Sequence, residues 1–223
     1  MSEGRDDDSP DGLFDDYGVD EELEAQWEKE WEEADRAAVD LLRRALADHV
    51  GAPAPAALSR AASTARTALA EDGHPFTWVR EAADLDLSRL PADDAELLIR
   101  CTAATIAPQE MTSLADEDEA TLASLEHADW LGAILSAVRA GAGSDAAPER
   151  LVAGISSCPE IHDVDDLDVD DESMLESAFW TLAMPWEVLG LIDADQRLTP
   201  VGVWVLPRAL ARAWNGSFDE SAG

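Results

Sequence analysis

The sequence predicts an all-α fold, a helical bundle with at most a minor β wing in its C-terminal part. Three observations predict it. Apolar residues recur at steps of three or four over several long segments. Ala, Leu, Glu and Arg, all good helix formers, dominate those segments. Gly and Pro fall mostly between them, as punctuation. The 223 residues suffice for one large domain or two small ones, and 46% apolar content is that of a chain with a core. Much of that content is alanine, so the core must rest on Leu, Ile, Val and Trp.

Residues 1–19 are rich in Asp, Gly and Pro and are expected to form a disordered acidic tail. Within them Leu13, Phe14 and Tyr17 make an apolar patch among acids, the composition of a short docking motif. A first helix is expected over Asp20–Val50. Leu23, Trp27, Trp31, Ala34, Ala38, Leu41, Leu42, Ala45 and Leu46 form its stripe, with Trp27 and Trp31 in a packing seam. Asp20, Glu21, Glu22 and Glu24 open it, where the helix dipole favours negative charge. Gly51 to Pro55 is a break. A second helix, Ala56–Glu71, has the thin stripe Leu58, Ala62, Ala65 and Leu69. Trp78 and Val79 begin a short helix, and Leu85, Leu87 and Leu90 suit an extended connector. Asp94–Ala107 is the next helix, with Leu97, Leu98, Cys101 and Thr105 facing inward and Pro108 as its stop.

A long helix is expected over Asp118–Arg139, closed by Gly141-Ala142-Gly143. Pro148 starts a short helix that ends near Ser157. Cys158–Asp171 reads as an acidic loop. Ser173–Trp214 is the densest apolar stretch and holds four of the eight tryptophans. It opens in a helix over Glu172–Leu189 that contains Pro185 and ends at Gly190. Leu191–Leu198 reads as a hairpin or wing. Thr199-Pro200 is a cap followed by a first-turn proline, and Pro207 restarts a helical piece to Trp214. The alternation of Val201, Val203 and Val205 also suits a strand. The resulting organisation is an N-terminal helical part over 20–111, a C-terminal part over 112–215 and a disordered tail over 216–223.

Leu189-Gly190-Leu191-Ile192-Asp193, a turn, and Arg197-Leu198-Thr199-Pro200-Val201-Gly202 resemble the wing region of winged-helix domains. That resemblance implies a winged-helix-like C-terminal part and, by the habit of such domains, DNA binding. A second resemblance rests on Leu125–Trp130, Cys158-Pro159-Glu160 and Leu198–Trp204. It is to a set of uncharacterised acidic helical proteins of actinobacteria, over residues 76–215, and it implies no activity.

Charge argues against DNA. The chain has 49 acidic and 15 basic residues, a formal net charge of −34. Phosphate contacts need cations. From Leu151 to Gln196, where the reader helix would lie, there are twelve acids and no Lys or Arg. Nucleic acid and anionic membrane are therefore excluded as partners, and a basic protein is the expected one. Two cysteines, Cys101 and Cys158, are too few for a disulfide framework and suit buried thiols in a cytoplasmic protein. The first residues lack the pattern of a signal peptide, and no apolar run is long enough to span a bilayer.

The acid-rich runs do not make calcium sites. Asp7, Ser9, Asp11 and Gly12 match the start of an EF-hand loop, but Gly18 stands where the bidentate Glu belongs. Asp166, Asp168 and Asp170 alternate correctly, but Asp171 stands in the glycine place and Ser177 in the glutamate place. Cys158 and His162 make half a zinc site at most. Gly154-Ile155-Ser156 lacks the second glycine of a nucleophile elbow, and His127 and Asp129 do not face each other on a helix. No catalytic, cofactor-binding or metal-binding residues are assigned. The expected function is a non-enzymatic acidic protein–protein interaction module. Its partner-binding residues would be Leu13, Phe14, Tyr17, Asp163, Asp165, Asp166, Asp168, Asp170 and Asp171. The alternatives are a nucleic-acid mimic, with carboxylates on one rigid face, and an enzyme, with His127 or His162 beside a carboxylate in a pocket.

Overall fold

The computed structural model describes scattered positions between 23 and 49, then residues 52–71, 76–106, 121, 122, 125, 127–157 and 169–218. The chain divides into two units, residues 1–37 and 38–223. In the first unit every described residue is helical and exposed. Leu23 and Trp27 are among them, so the expected packing seam is corrected at Trp27. Trp31, the other residue of the expected seam, lies outside the described residues.

The second unit carries seven named α-helices among the described residues: α1 (Leu58–Ala70), α2 (Phe76–Ala82), α3 (Asp94–Ile106), α4 (His127–Ala140), α5 (Pro148–Ser157), α6 (Val169–Val188) and α7 (Pro200–Phe218). No sheet occurs among the described residues, only isolated antiparallel bridges. The stripe Leu58, Ala62, Ala65 and Leu69 is buried as its spacing requires, and so are Leu97, Leu98, Cys101 and Thr105 on α3. Asp93 caps α3, its carboxylate accepting from the Glu96 N–H at 2.7 Å. α3 packs on α1 and α7, and α4 packs on α5 and α7. Where α4 crosses α5, two glycines meet. A Cβ on Gly132 would lie 2.8 Å from the Ile155 Cα, and one on Gly154 would lie 2.9 Å from the Gly132 carbonyl. Backbone touches backbone there, which only glycine permits.

Several expectations are corrected. The connector after Asp86 is a 3-10 turn, Leu87–Arg89, capped by the Asp86 carboxylate, which accepts from Ser88. Those hydrogen bonds hold Asp86 below the usual carboxylate range. The long helix over 118–139 is interrupted. Thr121 and Leu122 are helical, but the Leu125 N–H reaches back only to the Leu122 carbonyl, and α4 starts at His127. α7 runs unbroken through Pro207, so Val201, Val203 and Val205 are helical rather than a strand. It also includes Gly216, Ser217 and Phe218, which composition had given to a tail. A proline inside a helix removes one N–H. Burial of Val205, Leu206, Ala209 and Leu210 around Pro207 keeps the helix intact despite that loss. The expected boundary near 112–117 lies outside the described residues.

α6 ends in a Schellman motif at Gly190, whose φ is +71°. The Leu191 N–H donates to the Trp186 carbonyl and the Gly190 N–H to that of Glu187. The chain then turns through Ile192, paired with Leu198, while Arg197 pairs with Asp145. Asp193 holds the turn, accepting from the Asp195 and Arg197 N–H groups. Thr199 caps α7, accepting from the Gly202 N–H at 3.0 Å and donating its hydroxyl to the Gly190 carbonyl.

Candidate functional site

Leu13, Phe14, Tyr17, Asp163, Asp165, Asp166 and Asp168 lie outside the described residues. Asp170 and Asp171 are not in a loop, as their run of acids suggested. They open α6, with Asp171 exposed. The physical reason is the dipole. Free N–H groups at a helix start favour Asp and Glu, so the end of an acidic run is a good place to begin a helix.

α6 presents two unlike sides. Leu175, Ala178, Phe179, Leu182, Trp186 and Leu189 recur at steps of three or four and are buried. The opposite side carries Trp180 and Met184, one turn apart, with Ser177 and Ser173 continuing the strip and Met174 beside it. Met174, Trp180 and Met184 are 50%, 49% and 59% exposed. A helix apolar on both sides normally lies between two layers. Here Trp180 and Met184 are left about half exposed. The acids Glu172 and Glu187 are exposed along the same helix, and Glu176 is partly so. Sequence reasoning missed this face. The signal was available: the positions needed for the core leave Trp180 and Met184 pointing away from it.

Five of the described arginines make contacts within the fold. Arg197 donates to the Gly143 carbonyl at 3.1 Å. Arg208 stacks 3.9 Å over the Trp204 ring and donates to the Trp204 and His49 carbonyls. Arg212 pairs with Glu96 at 2.8 Å. Arg100 donates to the Ala83 and Asp84 carbonyls, and Arg66 to the Pro91 carbonyl and to Asp94. The Ser59 hydroxyl and the Arg66 guanidinium hold Asp94 below the usual carboxylate range.

Of the histidines weighed for chemistry, His127 sits in the core. His127 begins α4 with 5% of its surface exposed, and burial pulls its pKa down to about 4. Cys101 is fully buried, and desolvation pushes its thiol up to about 12, far from a reactive thiolate. His162 and Cys158 lie outside the described residues. Among the described residues, no three His, Cys, Asp or Glu side chains converge as a metal site would require. A cavity of ≈ 10 Å³ lies between α5, α6 and the 192–196 turn, lined by Leu151, Phe179, Leu182 and Trp186. It has room for about one water molecule and little polar wall to hold one. Among the described residues, no helix is long and apolar enough to cross a membrane. Compared with known protein families, curated proteins and solved structures, the chain matches none.

Proposed function

We propose that this protein is a non-enzymatic, acidic interaction module whose partner is a basic protein in the cytoplasm. One observation carries the reading. The segment from Leu151 to Gln196 has twelve acids and no cation, and nearby Arg197, Arg208 and Arg212 are engaged with carbonyls, an indole ring or a carboxylate. A segment of that composition attracts cations and repels phosphate. The C-terminal part reads as a reduced winged helix. α4, the bridge residue Asp145, α5, α6 and the paired Ile192 and Leu198 follow the order helix, strand, two helices, hairpin. In that reading α6 stands where a reader helix would stand, with apolar and acidic residues in place of basic ones.

The test is capture from the source cell's lysate on the immobilised full chain, at about 0.05 M and about 0.5 M salt. The shorter Debye length at high salt weakens contacts between exposed charges. A basic protein retained at low salt and released at high salt is the expected result. No basic protein at low salt overturns the proposal.

A further inference from the structure

We infer that the outward face of α6 is a docking surface for a basic amphipathic helix of another protein. The inference rests on the acidic-module reading and adds where the partner binds and in what form. Trp180 and Met184 are about half exposed one turn apart on α6. Large apolar side chains cost free energy in water in proportion to the area they expose. Scattered singly they are unremarkable, but two large ones stacked one turn apart on one helix face make a patch. Methionine adapts its shape, and tryptophan is a frequent anchor of interfaces.

The relief of the strip suits a helix. Ser173 and Ser177 are small and exposed, Trp180 and Met184 are large, and Glu187 closes the row. From Ser173 to Glu187 the strip rises roughly 21 Å, about four turns. The small residues at one end leave a groove, and the large ones at the other form a ridge, against which a second helix packs. Charge selects its sequence. Glu172, Glu176 and Glu187 lie on α6 with the patch, and no Lys or Arg occurs between Leu151 and Gln196. The occupant therefore has leucine-like residues on one side and Lys or Arg along its edges. A second copy of this chain does not fit, because it would bring two chains of formal charge −34 together, acid against acid.

The probe is a labelled 18-residue helical peptide of Leu and Lys, with Leu at i, i+3, i+4 and i+7. Its control has the same composition with the leucines spread around the helix. Fluorescence anisotropy with the full chain at low salt is expected to give at least tenfold tighter binding of the amphipathic peptide. Trp180→Ala/Met184→Ala should lose that tenfold and leave the control peptide's binding unchanged. Glu172→Gln/Glu176→Gln/Glu187→Gln should weaken both peptides. Circular dichroism and melting confirm that the variants fold, as expected for exposed positions, and Trp180→Gln replaces the double variant if it does not. Equal binding of both peptides, or no loss in the apolar variants, overturns the docking face and leaves the acidic-module reading standing. No binding of either peptide overturns both. Sedimentation showing a dimer that Trp180→Ala abolishes assigns the face to a second copy and also overturns the inference.

Discussion

Thr105 illustrates how one buried hydroxyl holds two helices in register. The Trp186 indole N–H of α6 donates to the Thr105 Oγ1 of α3 at 3.0 Å, and that hydroxyl donates to the Thr102 carbonyl at 2.7 Å. Thr105→Val keeps the shape and removes the acceptor, leaving an indole N–H buried without a partner. That costs about 1–3 kcal/mol. Urea unfolding should show the loss, and Thr105→Ser, which keeps the oxygen, should recover part of it. His127 makes a prediction of a different kind. Its folded pKa, about 4, lies below the ordinary 6.5 because burial disfavours the imidazolium. The neutral ring is therefore the folded form. Its contribution is complete above about pH 6.5 and is lost as pH falls toward about 4. Between pH 7 and pH 4.5 the wild type should lose about 2–3 kcal/mol more than His127→Leu, measured by urea unfolding of both. The difference between the two proteins is the readout, because many carboxylates titrate over the same range. Equal losses would mean that the imidazole protonates in the folded state as easily as in water.

At the scale of elements, periodicity was a good guide wherever one side of a helix meets the core. Leu58, Ala62, Ala65 and Leu69 on α1 and Leu97, Leu98 and Cys101 on α3 could be read from spacing alone, and all are buried. The caps were equally legible, because Thr199-Pro200 and Gly190 have few other uses. Spacing failed at Trp27, which is exposed, and where a helix is apolar on both sides, as at α6. Periodicity reports that a face is apolar, not that a neighbour exists. It also gave no hint that Gly154 serves packing. Its neighbours Ile155, Ser156 and Ser157 invited comparison with a nucleophile turn, yet Gly154 sits inside α5 against Gly132 of α4. Gly154→Ala should therefore destabilise. The substitution gains about 1 kcal/mol of helix propensity. Against that stands an overpacking cost of about 1–3 kcal/mol, toward its upper end because the obstacle is backbone and has no rotamer to change. A melting temperature lowered by a few degrees is expected, whereas propensity alone would raise it. Gly190→Ala should also destabilise, by about 1–2 kcal/mol from its left-handed backbone, with its new methyl 3.0 Å from the Ala61 Cβ.

Over the whole molecule the dominant fact is an imbalance that local pairing cannot remove. If each of the 15 basic residues neutralised one acid, 49 − 15 = 34 carboxylates would remain. The net charge was legible in the sequence, but the placement of the cations was not, because it depends on contacts between distant segments such as Arg212 with Glu96 and Arg66 with Asp94. These pairs are partly exposed and each is worth about 0–1 kcal/mol. Repulsion among the unpaired acids acts on the compact state more than on the expanded one, because folding brings the charges closer together. Added salt therefore does two opposed things. It weakens a few modest ion pairs, and it screens a much larger repulsion as the Debye length falls from about 30 Å at 0.01 M to about 3 Å at 1 M. The second effect should win. The melting temperature is expected to rise by several degrees between about 0.01 M and about 0.5 M NaCl at pH 7, with KCl giving the same result as NaCl. Over the same range, affinity for a basic partner should fall, because the attraction that recruits it is screened by the same ions. A melting temperature that dropped with salt would mean that ion pairs, not repulsion, govern the folded state.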